Sequence, residues 1–94
     1  MLWYCSYTWH PTTNVRDVRG RILQQDEVGS NIPGKIKGWY DLAGGGAGFV
    51  LLETDDIEEV NAFCQPYMDL MSWDVRAIRP LEYRASLERF RKEF

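Results

Sequence analysis

Residues Ala43–Leu52 read AGGGAGFVLL, a run of glycine and alanine followed by four large apolar residues. A phosphate-cradling loop needs a strand before it and a helix after it, so that backbone N–H groups and the helix dipole converge on the anion. Here the stretch that follows, Gly48–Thr54, carries strand formers. The phosphate-binding lysine is missing, and so is a G-x-G-x-x-G spacing that opens a helix. Gly44, Gly45, Gly46 and Gly48 therefore read as the connection of a β-hairpin, where glycine adopts positive φ at little steric cost.

Working outward from the hairpin, Lys35–Leu42 alternates as the strand before it. Leu2–Trp9, rich in aromatics and closed by His10-Pro11, is the first strand of the chain, and Trp73–Ile78, closed by Pro80, is the last. Between the first two strands, TTNVRDVRGRILQQDEV opens with Asn14 and Asp17 at capping spacing and repeats Val15, Val18 and Ile22 as a helix would. After the hairpin, Asp55 and Asp56 start a second helix with Ile57, Val60, Cys64, Tyr67 and Met68 as its apolar stripe, and Pro66 should kink it or end it early. Tyr83, Leu87, Phe90 and Phe94 recur at helical spacing in the tail. The expected architecture is α+β: a ferredoxin-like βαββαβ unit over residues 1–81, with a four-stranded antiparallel sheet and two helices on one face, and a helical tail over residues 82–94.

The 94 residues amount to one domain with a modest core. Composition is globular, at 45% hydrophobic and 27% charged, and the 14% aromatic share exceeds what one small core needs, which points some rings toward a pocket or an interface. A net charge of −3 without a basic stripe argues against nucleic acid. The third-strand segment GGAGFVLL also fails the RNA-recognition signature, with Gly45 where a basic residue and Ala47 where an aromatic one belongs. No apolar run is long enough to span a membrane and no leader is visible, so a cytoplasmic protein is expected. Cys5 and Cys64 are expected as free, buried thiols. One histidine and no C-x-x-C pair leave no metal site, and no cofactor is expected.

Strand alternation assigns faces. Trp3, Cys5, Tyr7, Trp9, Ile36, Gly38, Tyr40, Trp73, Val75 and Ala77 are expected against the helices. Tyr4, Ser6, Thr8, His10, Lys37, Trp39, Asp41, Asp74 and Arg76 are expected on the open face, while the strand Gly48–Thr54 fits either way round. An aromatic and charged face of this kind marks an interface or a ligand groove, and a second copy of the chain is the simplest partner. The ligand-binding candidates are Tyr4, Ser6, Thr8, His10, Trp39 and Arg76. An imidazole's intrinsic pKa suits proton transfer near neutral pH, so His10, with Tyr4, is the candidate for that role. Lys37, Asp41, Asp74 and Arg76 are expected to form cross-strand ion pairs.

The segments MLWY…WHP, GFVLLETDD and YMDLMSWDVRAIRPL together resemble a bacterial family catalogued as domain of unknown function 3303, over Met1–Leu81. The resemblance implies membership of the dimeric α/β-barrel superfamily, in which two ferredoxin-like sheets pack face to face. That superfamily includes cofactor-free monooxygenases, isomerases and cyclases as well as proteins without known activity. The function expected is a homodimer that joins through its open sheet face and binds a small molecule between sheet and partner. A cofactor-free enzyme on an aromatic or polyketide-like substrate is the alternative, and a purely structural interaction module is the third reading.

Overall fold

A computed structural model describes all 94 residues. The elements follow in the order β1 (Leu2–Trp9), α1 (Val15–Glu27), β2 (Ile36–Asp41), β3 (Ala47–Glu53), α2 (Ile57–Cys64), β4 (Met71–Ile78) and α3 (Tyr83–Glu93), with single 3-10 turns at Pro33–Lys35 and Gln65–Tyr67. The sheet is antiparallel throughout, in the order β2-β3-β1-β4.

Local chemistry places the element ends. Asn14 accepts from the Asp17 amide at 2.8 Å and returns a side-chain bond to Asp17 at 3.0 Å, which starts α1. Asp56, not Asp55, caps α2 by accepting from the Glu58 amide at 3.0 Å, while Asp55 turns to the N-terminal ammonium at 2.8 Å. Pro66 ends the α-helical hydrogen bonding, and the chain tightens into the turn Gln65–Tyr67 before β4 begins at Met71, two residues ahead of the expected Trp73. The glycine run is a hairpin: Leu42 donates to Ala47 O at 2.8 Å, and Gly44, Gly45 and Gly46 have φ of 95°, 81° and 80°. Gly46 O also accepts the Trp9 amide at 2.8 Å, so the loop seals the end of β1.

Cys5 and Tyr7 of β1, Val50 and Leu52 of β3, Val18 of α1 and Val60, Phe63 and Cys64 of α2 form one buried cluster. Both α1 and α2 therefore lie over the same face of the sheet. This resolves β3, whose even-numbered residues face the helices while Phe49, Leu51 and Glu53 face the open side.

In β2 the expected faces hold at Ile36 and reverse after it. The β2–β3 register jumps from Ile36↔Leu52 to Gly38↔Leu51, leaving Lys37 as an extra residue. A bulge of one residue shifts every later side chain to the opposite face. Trp39 and Asp41, expected on the open face, therefore lie on the helix side opposite Val50 and Gly48, and Gly38 and Tyr40 turn outward.

Candidate functional site

The helix-side face and α1 do not close on each other. Between them lies a cavity of about 290 Å³. Tyr7, Val50 and Trp73 belong to its sheet wall, Val15, Val18 and Ile22 to its helical wall, and Phe63 and Tyr67 line it from α2 and the following turn. The spacing of Val15, Val18, Arg19 and Ile22 puts all four on one side of α1, which is why one helix supplies a wall. Trp39, Asp41, Gly45 and Arg19 complete the lining; all four are solvent-exposed residues and form its mouth.

The rings pack edge-on within the wall. Trp73 lies 5.4 Å from Tyr7, 6.1 Å from Phe63 and 6.4 Å from Tyr67, each steeply inclined. The C-terminal end of α1 is tied to this cluster, since the Tyr67 hydroxyl donates to Asn31 Oδ1 at 2.5 Å and Asn31 Nδ2 donates to Ile22 O at 3.0 Å.

Polar groups enter the cavity at its mouth. There Trp39 Nε1 donates to the Tyr7 hydroxyl at 3.1 Å, and the Tyr7 hydroxyl donates in a short contact to Asp41 Oδ1. Burial, reinforced by the Asp41 hydrogen bond, pushes the Tyr7 phenol up to about 12, so the proton stays on Tyr7 at neutral pH. Asp41 forms no ion pair, and neither does Arg19. Trp9 and Trp73 also line the cavity, while their indole Nε1–H groups are buried out of reach of solvent and have no hydrogen-bond partner. The remaining tryptophan, Trp3, donates to Thr54 O at 3.0 Å, so both orphan donors belong to residues that line the cavity.

The residues singled out in the sequence separate. Tyr4, Ser6, Thr8 and Arg76 occupy the open face: Tyr4 pairs across β1–β4 with Arg76 and Ser6 with Asp74. Trp39 alone of the ligand-binding set lines the cavity. His10 stands at the end of β1, where Nε2 lies 3.1 Å from Met68 O; a carbonyl only accepts, so this nitrogen carries the proton. His10 thus fastens the turn before β4 and does not line the cavity. Of the expected ion pairs, Asp74 and Arg76 meet at 3.3 Å along one strand, Asp41 bonds Tyr7 instead, and Lys37 has no acidic partner. By strand alternation alone Tyr7, Trp9 and Trp73 read as core and Asp41 as surface. The signal that could have united them was Gly38, since glycine inside a strand marks a bulge.

The open face has its own aromatic row. Phe49 lies 5.0 Å from Tyr4 and 5.1 Å from Tyr40, joining β1, β3 and β2 across the outer surface. Tyr40 is 55% exposed. No helix is long and apolar enough to cross a membrane, and no three of the His, Cys, Asp and Glu side chains are grouped as a metal site would need.

A family model described as "Domain of unknown function (DUF3303)" matches residues 1–88. No curated relative matches the chain.

Proposed function

We propose, for a chain that belongs to the DUF3303 family, that it binds a small, flat, largely apolar molecule bearing hydrogen-bond acceptors in the cavity between the sheet and α1. The observation that carries this reading is a cavity of about 290 Å³ walled by the aromatic side chains of Tyr7, Trp9, Phe63, Tyr67 and Trp73. The indole N–H groups of Trp9 and Trp73 are buried without a partner, each at a cost of about 1–3 kcal/mol. A rotation of either ring that turned its N–H into the cavity would let an acceptor oxygen on a bound molecule recover that cost, and the aromatic wall supplies the contact area. Arg19 at the mouth adds an uncommitted cation suited to a carboxylate or phenolate on the same molecule.

Screening aromatic acids and polyketide-like compounds by thermal shift and intrinsic tryptophan fluorescence tests the reading. A binder should raise the melting temperature and change indole emission, and Trp73→Phe should weaken it by about tenfold while the variant stays folded. Binding that survives Trp73→Phe and Trp9→Phe unchanged, or that maps to the open face, would remove the basis for this site.

The second reading is a cofactor-free enzyme, and the Tyr7–Asp41 pair favours it. Asp41 carries a second carboxylate oxygen without a protein partner and lies at the mouth, where a ligand hydroxyl could deliver a proton to it. Asp41→Asn should then abolish turnover of a bound compound and leave its affinity nearly unchanged. His10 and Tyr4 would act only if the reactive group lay outside the cavity.

We also propose that the chain is a homodimer joined through the open face. The βαββαβ order with strands in the sequence β2-β3-β1-β4 is, in our reading, the ferredoxin-like arrangement, and the row Tyr4–Phe49–Tyr40 is the apolar surface a second sheet would cover. Tyr4, Ser6, Thr8 and Arg76 belong to this contact. Light scattering at micromolar concentration should give close to twice the 11.0 kDa chain mass. A monomer at that concentration would leave the interaction-module reading without its partner as well.

A further inference from the structure

The geometry points to α3 as an arm that docks its apolar stripe on a second copy of this chain. The inference rests on the proposed dimer and adds an element that the sheet contact does not use.

Helix α3 is amphipathic and uncovered. Tyr83, Leu87, Phe90 and Phe94 recur along one side of it, yet the helix has no buried residue, and Tyr83 and Phe94 are 72% and 102% exposed. No side-chain hydrogen bond or ion pair joins it to the rest of the chain, for its capping bonds from Arg84 and Ala85 both go to the adjacent Glu82. The molecule extends 52 Å along its longest axis against 29 and 16 Å along the others. A helix of this length without packing is marginal in water, so its apolar side needs a surface.

Charge complementarity favours the body of another copy as the partner. Arg84, Arg89, Arg91 and Lys92 against Glu88 and Glu93 give α3 a charge of +2, within a chain of −3. The remaining residues therefore carry −5, and the arm and the body of another copy attract each other. The row Tyr4–Phe49–Tyr40 on the open face is taken up by the sheet contact itself, so the arm meets the other body at the rim of that contact. A stable interface buries about 800 Å² on each partner, and an arm laid against the edge of a sheet contact enlarges a small one toward that size. A symmetric dimer makes the exchange reciprocal, each arm meeting the other body.

Sedimentation equilibrium on the full chain tests this, with L87D/F90D to spoil the apolar stripe and R84E/R91E to reverse the charge. Near-UV circular dichroism of the tryptophans checks that the body stays folded, and hydrogen exchange follows the α3 amides. The expected result is a wild-type dimer whose dissociation constant rises by about tenfold or more in each variant, rises with salt in the wild type, and whose α3 amides lose protection on dilution to monomer. A dimer indifferent to both variants overturns the arm and leaves the sheet-to-sheet dimer standing. A wild-type monomer with protected α3 amides shows the helix folding on its own body and overturns both.

Discussion

The Tyr7 hydroxyl donates to the Asp41 carboxylate although the two residues stand on strands separated by β3, and a single extra residue makes this possible. Without the bulge at Lys37, Asp41 and Trp39 would face away from Tyr7. With it, a phenol, an indole and a carboxylate form one hydrogen-bonded chain at the mouth of the cavity. Tyr7→Phe leaves the Trp39 indole and Asp41 without this partner and should cost about 1–2 kcal/mol in a denaturant titration at neutral pH. A cost near zero would mean that the chain of bonds does not hold the mouth.

The same bond sets an alkaline limit. Burial and Asp41 hold the folded-state Tyr7 phenol at about 12, against about 10 in the unfolded chain. Because the folded value is raised, the unfolded chain releases its proton first. The associated stability is whole below about pH 10 and is lost as pH rises from there toward about 12, by up to about 2 kcal/mol. The alkaline unfolding profile of Tyr7→Phe should lack this component, and two parallel profiles would contradict the assignment.

Gly48 is required by the same contact. A methyl group built on Gly48 meets the Tyr7 hydroxyl at 2.5 Å and collides with the Tyr40 backbone carbonyl. Backbone cannot move aside as a flexible side chain does, so Gly48→Ala should destabilise by about 3 kcal/mol or more. Gly44→Ala offers the comparison: its position has open space around it, and the strain comes only from φ of 95°. Its smaller loss, about 1–2 kcal/mol, separates steric collision from backbone strain in parallel thermal melts.

These residues also mark how far the sequence could be read. Strand β1 and the glycine hairpin were legible because alternation, turn chemistry and the Pro11 stop agree, and the helix start at Asn14 was legible because two side chains satisfy each other. The halves of β2 were not. A period of two carries no record of an inserted residue, and Trp39 and Tyr40 are both aromatic, so either face looked plausible. The cavity was hidden for a related reason: Trp9 and Trp73 alternate as core residues should, and only the placement of α1 over the sheet shows that their indole donors lack partners. For the open face, Tyr4, Ser6, Thr8, Asp74 and Arg76 were placed correctly because β1 and β4 pair without a break.

Asp69 ties the turn before β4 to α1 through a fork of two bonds from Arg21, at 2.7 and 3.0 Å, and Arg21 also donates to Pro66 O. The Arg21 guanidinium holds the Asp69 carboxyl below its ordinary range. A lowered folded-state value contributes stability above the unfolded value of about 4, which is lost as pH falls through the folded value. Asp69→Asn should therefore melt below the wild type at neutral pH, with the gap closing as pH falls through the folded-state value and Asp69 takes up its proton. A gap that stays constant with pH would show that packing, not the ion pair, is what the substitution disturbs.

Cys5 and Cys64 meet across the interface of β1 and α2, both buried and both free thiols. The hydrogen bond to Cys5 and burial together push the Cys64 thiol above its ordinary value. A thiol must be deprotonated and reachable to attack a labelling reagent, and Cys64 in the folded chain is neither. Labelling of the native protein should therefore proceed only through opening of the core, slowly and for both cysteines at one common rate, while denaturant should reveal both at once. Raising the pH from about 7 to about 9 should accelerate labelling of the unfolded chain through its thiolate fraction. The native rate rises in the same proportion only if opening is a rapid pre-equilibrium. Fast labelling of Cys5 alone, or a linked Cys5–Cys64 peptide recovered without oxidant, would place the β1–α2 contact closer to solvent than the structure has it.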